Sequence, residues 1–316
     1  MVFVYVALVI IGLYIIFIVA PSAVAAWRVM TPRPGIPFEE VISKDPRFRI
    51  YETRIRNAKS FLDGIGPEEV SCVSGDGTRL RGYYYDNGSD KTALFVHGYR
   101  ADPFVCFSLQ GEYFAAKGYN LLFAIQRGHP GSGGKHVTLG LKERSDIPAW
   151  TGFLKDRGSR SAVVYGVSMG GFAAALATAD LDPSFVKTAV IDCAYTSPYD
   201  QLMRDCKKRR LPGRLMMPFV ALFSKLFFGV DIKQSAPESL GRSKIPAFFI
   251  HGSADSTVPP DDGEKNFHAC ASTKRFYIAN GAEHVLSFAK CGDDIKASLS
   301  DFIEKQYRNI QTENSI

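Results

Sequence analysis

The sequence predicts an α/β fold in which a mostly parallel eight-stranded sheet carries helices on both faces. Three observations point there. Short apolar runs alternate with longer helical patterns along most of the chain, which is the mark of strand-helix-strand units. The runs are apolar on both faces, as in Ala162-Val163-Val164-Tyr165-Gly166-Val167, which suits strands buried from both sides. With 316 residues, 46% of them hydrophobic and 22% charged, the chain is long enough for one large core with an insertion.

Residues 2–20 are uncharged and almost wholly apolar. As a helix rising ~1.5 Å per residue they cover roughly the ~30 Å of a bilayer's hydrocarbon. Trp27 and Arg28 follow as an interfacial anchor. Ala23-Val24-Ala25 has the small-x-small form of a signal cleavage site. The segment lacks a basic start and exceeds a signal peptide's apolar core, so residues 1–27 read as an uncleaved single-pass anchor in the cell membrane. No Lys or Arg precedes the segment, whereas Arg28, Arg33, Lys44 and Arg47 follow it. The positive-inside rule therefore puts the rest of the chain on the cytoplasmic side.

Residues 28–67, with Pro32, Pro34 and Pro37 near their start, read as a linker plus a short helix at 51–61. The folded domain is expected at 68–310. Strand runs at 69–73 and 78–85 flank Ser74-Gly75-Asp76-Gly77, a hairpin turn signal. Strands follow at 92–96, 120–125, 162–167, 186–191, 246–250 and 275–279. Helices are expected at 104–117, 141–154, 261–270 and 286–308, with a tail at 311–316. Residues 198–242 interrupt the alternation. They hold Lys207-Lys208-Arg209-Arg210 and then an apolar run from Met216 to Phe228, and read as a helical cap over the sheet's ligand-binding edge. The run can pack on the core, form an acyl-binding lid, or lie on a membrane surface with its basic cluster at the headgroups.

The chemistry centres on Gly166-Val167-Ser168-Met169-Gly170, set between a strand and the Ala-rich helical run that follows. A strand that turns into a helix this abruptly cramps its apex residue, and small neighbours two positions away relieve the crowding. The apex side chain, Ser168, is then pushed out above the sheet edge as a nucleophile elbow. Serine alone is a weak nucleophile and needs a base, an acid and an oxyanion site. In an open parallel sheet these partners lie beyond the carboxyl ends of strands.

Six histidines allow elimination. His97 and His251 are each trailed by glycine and read as turn-shaping. His129 and His136 belong to a Gly-rich loop region, and His268 lies within a helix. His284 follows the last strand and precedes the last helix, as a general base should. Asp255 follows the preceding strand and is the acid of choice, with Asp192 as runner-up. The order Ser168, Asp255, His284 is the one expected for this architecture. The backbone N–H groups of Met169 and Tyr99 are the candidate oxyanion donors, with Arg100 as an alternative to Tyr99.

Composition narrows the partners. A net charge of +6 is mild and predicts no nucleic-acid partner. Six cysteines without a C-x-x-C pair speak against a zinc or thioredoxin-type site, so no metal or cofactor is expected.

Phe95-Val96-His97-Gly98, Arg127-Gly128-His129, Gly166-Val167-Ser168-Met169-Gly170-Gly171, His251-Gly252-Ser253-Ala254-Asp255 and Gly281-Ala282-Glu283-His284 together resemble the α/β-hydrolase superfamily, and within it the bacterial membrane-anchored esterase-like branch. The resemblance covers roughly residues 68–308. It implies a second strand antiparallel to the rest, metal-independent hydrolysis and an acyl-enzyme on Ser168. One departure stands out: the family's Asp-x-Arg-Gly-His-Gly after the fourth strand is here Ile125-Gln126-Arg127-Gly128-His129-Pro130. The expected activity is a membrane-anchored serine hydrolase acting on a small-molecule or lipid-like carboxylic ester. An amidase or peptidase with the same three residues, and a non-catalytic membrane-tethered binding protein of the same fold, are the alternatives.

Overall fold

A computed structural model describes residues 1–313. The chain opens with a continuous helix, Val2–Met30, built of α1 (Val2–Tyr14), a π turn (Ile15–Val19) and α2 (Ala20–Met30). Its length and composition suffice to cross a membrane. The helix runs three residues past the expected anchor.

Three helices follow: α3 (Phe38–Lys44), α4 (Pro46–Arg49) and α5 (Glu52–Ile65). This corrects the expectation of a linker with one short helix. Phe38, Ile42, Phe48, Ile55, Ala58 and Leu62 are buried in the main core, so the segment is part of the folded unit. Proline at the first position of α4 and the Asp45 side chain capping the Arg47 N–H let so short a helix start cleanly.

The sheet contains β1 (Glu68–Val73), β2 (Arg79–Tyr85), β3 (Lys91–Val96), β4 (Asn120–Ile125), β5 (Ser161–Val167), β6 (Val186–Asp192), β7 (Ala247–Gly252) and β8 (Lys274–Ala279). Their spatial order is β1-β2-β4-β3-β5-β6-β7-β8. β2 pairs antiparallel with both β1 and β4, and the pairings from β4 through β3 to β8 are parallel. The sheet is therefore mixed, with its antiparallel pairings confined to the β1 edge and its parallel part running on to the β8 edge.

The helices between strands are α6 (Pro103–Ala116), α7 (Asp146–Asp156), α8 (Met169–Ala177), α9 (Pro198–Lys208), α10 (Gly213–Phe228), α11 (Ala236–Leu240) and α12 (Pro260–Ala269), and α13 (Ser287–Glu313) follows the last strand. A helix expected to start at 141 instead begins at Asp146, after a 3-10 turn at Glu143–Ser145. The expected tail at 311–316 is helical through Glu313, and its last three positions lie outside the described residues.

Alternation along the strands splits the core in two. Ala93, Phe95, Leu121, Phe123, Val163 and Tyr165 face α5, α6 and α13. Leu94, Val96, Leu122, Ala124, Ala162 and Val164 face α7 and α8. The cap stands beside the first helix: Tyr14 meets Phe219 at 5.9 Å between ring centres, and Trp27 meets Phe228 at 5.7 Å. α10 thus runs alongside the second half of that helix, in the same direction.

Candidate active site

β5 ends at Val167 and α8 starts at Met169, leaving Ser168 as the whole turn. Its φ of 54° and ψ of −115° fall in a region that disfavours any residue with a side chain. The surroundings hold it there. The Ser168 N–H donates to the Asp192 carbonyl at 2.8 Å, tying the apex to the end of β6. The flanking glycines are required by space: a Cβ on Gly170 would strike the Val96 carbonyl, and one on Gly166 would strike the Gly170 carbonyl. The elbow therefore sits in direct backbone contact with β3.

The predicted partners come together around it. His284 Nε2 accepts from the Ser168 hydroxyl at 2.9 Å, and His284 Nδ1 donates to Asp255 Oδ2 at 2.6 Å. The bond to the carboxylate sets the imidazole tautomer, leaving Nε2 as the acceptor. The Asp255 side chain is fully buried while that of His284 is 13% exposed, so the base is reachable and the acid is sealed. Asp255 Oδ1 accepts the N–H groups of Thr257 and Val258 at 2.8 and 2.9 Å. Burial alone would raise the Asp255 carboxyl's pKa. The hydrogen bonds from His251, His284 and the Val258 amide outweigh burial and hold it well below the usual carboxylate value. Such a hydroxyl-imidazole-carboxylate chain can take a proton from the hydroxyl as it attacks and return it to a leaving group.

Two of the alternative residues have other partners. Asp192, the runner-up acid, is fully buried and accepts from the Tyr165 hydroxyl at 3.0 Å, outside the chain of bonds through His284. The Arg100 N–H donates to His129 Nε2 at 3.0 Å and so is already engaged. Tyr99 precedes it in the same loop, and a Cβ placed on the adjacent Gly98 would lie 3.6 Å from the Ser168 Cβ. Met169 is the first residue of α8, where no carbonyl of the helix can accept its N–H.

Several further residues shape the site. His251, read as turn-shaping, is fully buried; its Nε2 lies 2.9 Å from the Val258 carbonyl and 3.5 Å from Asp255 Oδ2. It supports the loop that presents Asp255, and the four-residue spacing of His251 and Asp255 was the available signal. Cys193, just past β6, lies with Asp255 and His284 so that their donor atoms fall within 4.8 Å of one another. Burial pushes the Cys193 thiol far above its ordinary pKa, and Asp255 and His284 bond to each other. A metal nest would need a readily deprotonated thiol, so this donor set suits proton relay better. In the loop where the sequence departs from Asp-x-Arg-Gly-His-Gly, Arg127 is buried in ion pairs with Asp146 and Asp76. His129 Nδ1 lies 3.0 Å from the Arg127 carbonyl, which makes Nδ1 the donor and leaves Nε2 free for Arg100.

No protein-family model matches the chain. It is 25% identical over 234 residues to the uncharacterized protein YqkD of Bacillus subtilis (strain 168), covering 72% of this chain and 76% of that protein. It is 22% identical over 251 residues to the uncharacterized protein YfhR of Escherichia coli (strain K12), covering 76% and 82%. Among solved structures it resembles the Pyrococcus furiosus esterase Pf2001, with a TM-score of 0.66 and 25% identity over 87% of this chain and 98% of that one. The esterase EaEST from Exiguobacterium antarcticum shares the fold, with a TM-score of 0.57 and 17% identity over 75% of this chain and all of that one. Sheet order, elbow and these likenesses place the chain, by fold, among the α/β-hydrolases.

Proposed function

We propose that the protein is a membrane-anchored serine hydrolase that cleaves a carboxylic ester through an acyl-enzyme on Ser168. The hydrogen-bonded chain from Ser168 through His284 to Asp255, with Ser168 held in a strained backbone conformation, carries the reading. Likeness over nearly the full length to a protein described as an esterase supports the ester.

In the proposed cycle His284 Nε2 takes the Ser168 proton as the hydroxyl oxygen attacks the ester carbonyl. The oxyanion that forms is met by the Tyr99 and Met169 N–H groups. The second sits at the N-terminus of α8, where the helix dipole also favours negative charge. Asp255 stabilises the imidazolium, which protonates the departing alcohol. Water then enters, His284 takes one of its protons, and attack on the acyl-enzyme releases the carboxylic acid and restores Ser168.

The helix Val2–Met30 is the proposed anchor, and Arg28, Arg33, Lys44 and Arg47, all following its apolar stretch, support a cytoplasmic domain by the positive-inside rule. The cap fits this setting. α10 runs beside the anchor and exposes Leu215, Leu222, Leu226 and Phe227, so apolar surface continues from one helix to the other. A substrate with an acyl chain would meet the protein near the bilayer.

A fluorophosphonate probe tests the reading: labelling of folded protein at Ser168, abolished in Ser168→Ala, is expected. Folded wild-type protein that neither labels nor turns over any p-nitrophenyl ester from two to twelve carbons would overturn it. For the orientation, an impermeant thiol reagent on sealed cells is expected to leave Cys206 and Cys291 unmodified until the cells are opened.

A further inference from the structure

Every α-helix ends with four backbone carbonyls that have no partner inside the helix. In the helix Val2–Met30 these are the carbonyls of Trp27, Arg28, Val29 and Met30. Each has a partner here. The Trp27 carbonyl accepts the Thr31 N–H at 2.9 Å and the Thr31 hydroxyl at 2.6 Å. The Met30 carbonyl accepts the Val137 N–H at 3.0 Å. The middle two are met from the loop after β3. Arg100 Nη2 donates to the Arg28 carbonyl at 2.8 Å, and the Tyr99 hydroxyl donates to the Val29 carbonyl at 2.6 Å. Arg100 Nη2 also reaches the Thr31 carbonyl at 2.8 Å, and its guanidinium stacks on the Tyr99 ring at 4.5 Å. A cation at this end of a helix is further favoured by the helix dipole.

The same two residues are held on their other side by the elbow region. Arg100 adopts φ 52°, and its N–H is taken by His129. Gly98 lies against Ser168, and the Gly98 carbonyl faces His97 Nδ1 at 2.8 Å. The Tyr99 peptide therefore spans two clamps, the elbow behind it and the end of the membrane-length helix ahead of it.

We propose that the side chains of Tyr99 and Arg100 are positioning residues, which fix the loop to the last turn of the anchor helix and so aim the Tyr99 N–H at the oxyanion formed on Ser168. The proposal rests on the serine-hydrolase reading and adds to it. It makes the end of the anchor part of the catalytic scaffold, beyond its service as a tether. The physical reason is tolerance: an oxyanion donor acts only when held within a few tenths of an ångström of its target, and a loop released at one end does not meet that.

The experiment uses the full chain in detergent micelles. Tyr99→Phe removes one hydroxyl and keeps the ring, and Arg100→Gln removes the guanidinium and serves if the first variant folds poorly. Each is compared with wild type for kcat and KM on the best p-nitrophenyl ester, and for the inhibition constant of a trifluoromethyl ketone of matching chain length. That ketone forms an oxyanion adduct with the serine and reads the donor directly. Full loss of one donor costs ~10²–10³ in rate, so misplacement should lower kcat by about tenfold with KM little changed. The ketone's inhibition constant should rise by the same factor, at a temperature where circular dichroism reports the wild-type fold. Unchanged kcat in both variants, or a fall in kcat without matching weakening of the ketone, overturns the positioning role. Failure of the wild-type chain to label with the fluorophosphonate or turn over ester overturns the hydrolase reading itself, and the inference falls with it.

Discussion

The two flanks of Ser168 are built on different terms. On the base side, Asp255 and His284 follow β7 and β8, and their bonds run within that half of the sheet. On the proposed oxyanion side, the loop after β3 is bonded to His129 from the next strand's loop and to a helix end some 70 residues earlier in the chain. The base side is self-sufficient, whereas the oxyanion side is assembled from distant pieces. The difference teaches that a base and its acid hold each other by one direct side-chain bond, while aiming a backbone amide needs support on both sides of its loop.

Substitutions can sharpen or break this contrast. The largest effect is expected where both flanks converge: Ser168→Ala should lower kcat by about 10⁶ in steady-state ester hydrolysis, as losing the nucleophile does elsewhere. A residual rate within a hundredfold of wild type would make the elbow irrelevant to turnover. Next comes the base side. Asp255→Asn should cost about 10⁴ in kcat, because His284 loses the bond that sets its tautomer. The oxyanion side should be softer, with Tyr99→Phe near tenfold. If Tyr99→Phe matched Asp255→Asn, the two flanks would not differ in kind.

The smallest effect on turnover is expected at the residue between them, where the readout is stability. Burial pushes the Asp192 carboxyl from 3.8 up to about 7, with the Tyr165 hydrogen bond only partly opposing it. The folded state thus keeps a proton that the unfolded chain releases near pH 4. Its contribution is fully present below about pH 4 and is lost as pH rises toward 7. Asp192→Asn cannot ionise, so the variant's unfolding free energy relative to wild type should rise between pH 4 and 8 in urea titrations. A difference that stays flat across that range would mean Asp192 is not the buried acid described.

The base side was legible in the sequence because each residue follows a strand that its own apolar run identifies. His284 stood out by elimination, and Asp255 by its place after Ile250 in the preceding strand. Tyr99 could be named as a candidate donor from its place after β3, but its side-chain anchorage could not, since a carbonyl at a helix end leaves no mark on the residue that will cap it. The segment 28–67 misled for another reason. Its core residues Phe38, Ile42, Phe48, Ile55, Ala58 and Leu62 are spread over three helices, and the prolines ahead of them imitate a linker. Much of their packing partner, α6, lies in a later part of the chain, where no local pattern could announce it. His251 was hidden because a histidine followed by glycine resembles a turn, while its use is as a buried neighbour of Asp255.

The backbone contact between Gly170 and the Val96 carbonyl bears on how tolerance to mutation is read. In a saturation library scored by survival of activity, position 170 should be as barren as position 168, although Gly170 brings no reactive group to the site. Leu215 and Leu222, exposed on the cap, should accept many apolar replacements. A map of intolerance in this protein would therefore outline the seam between β3 and the elbow as sharply as it outlines the chemistry, and the two can be separated only by asking which dead variants still fold.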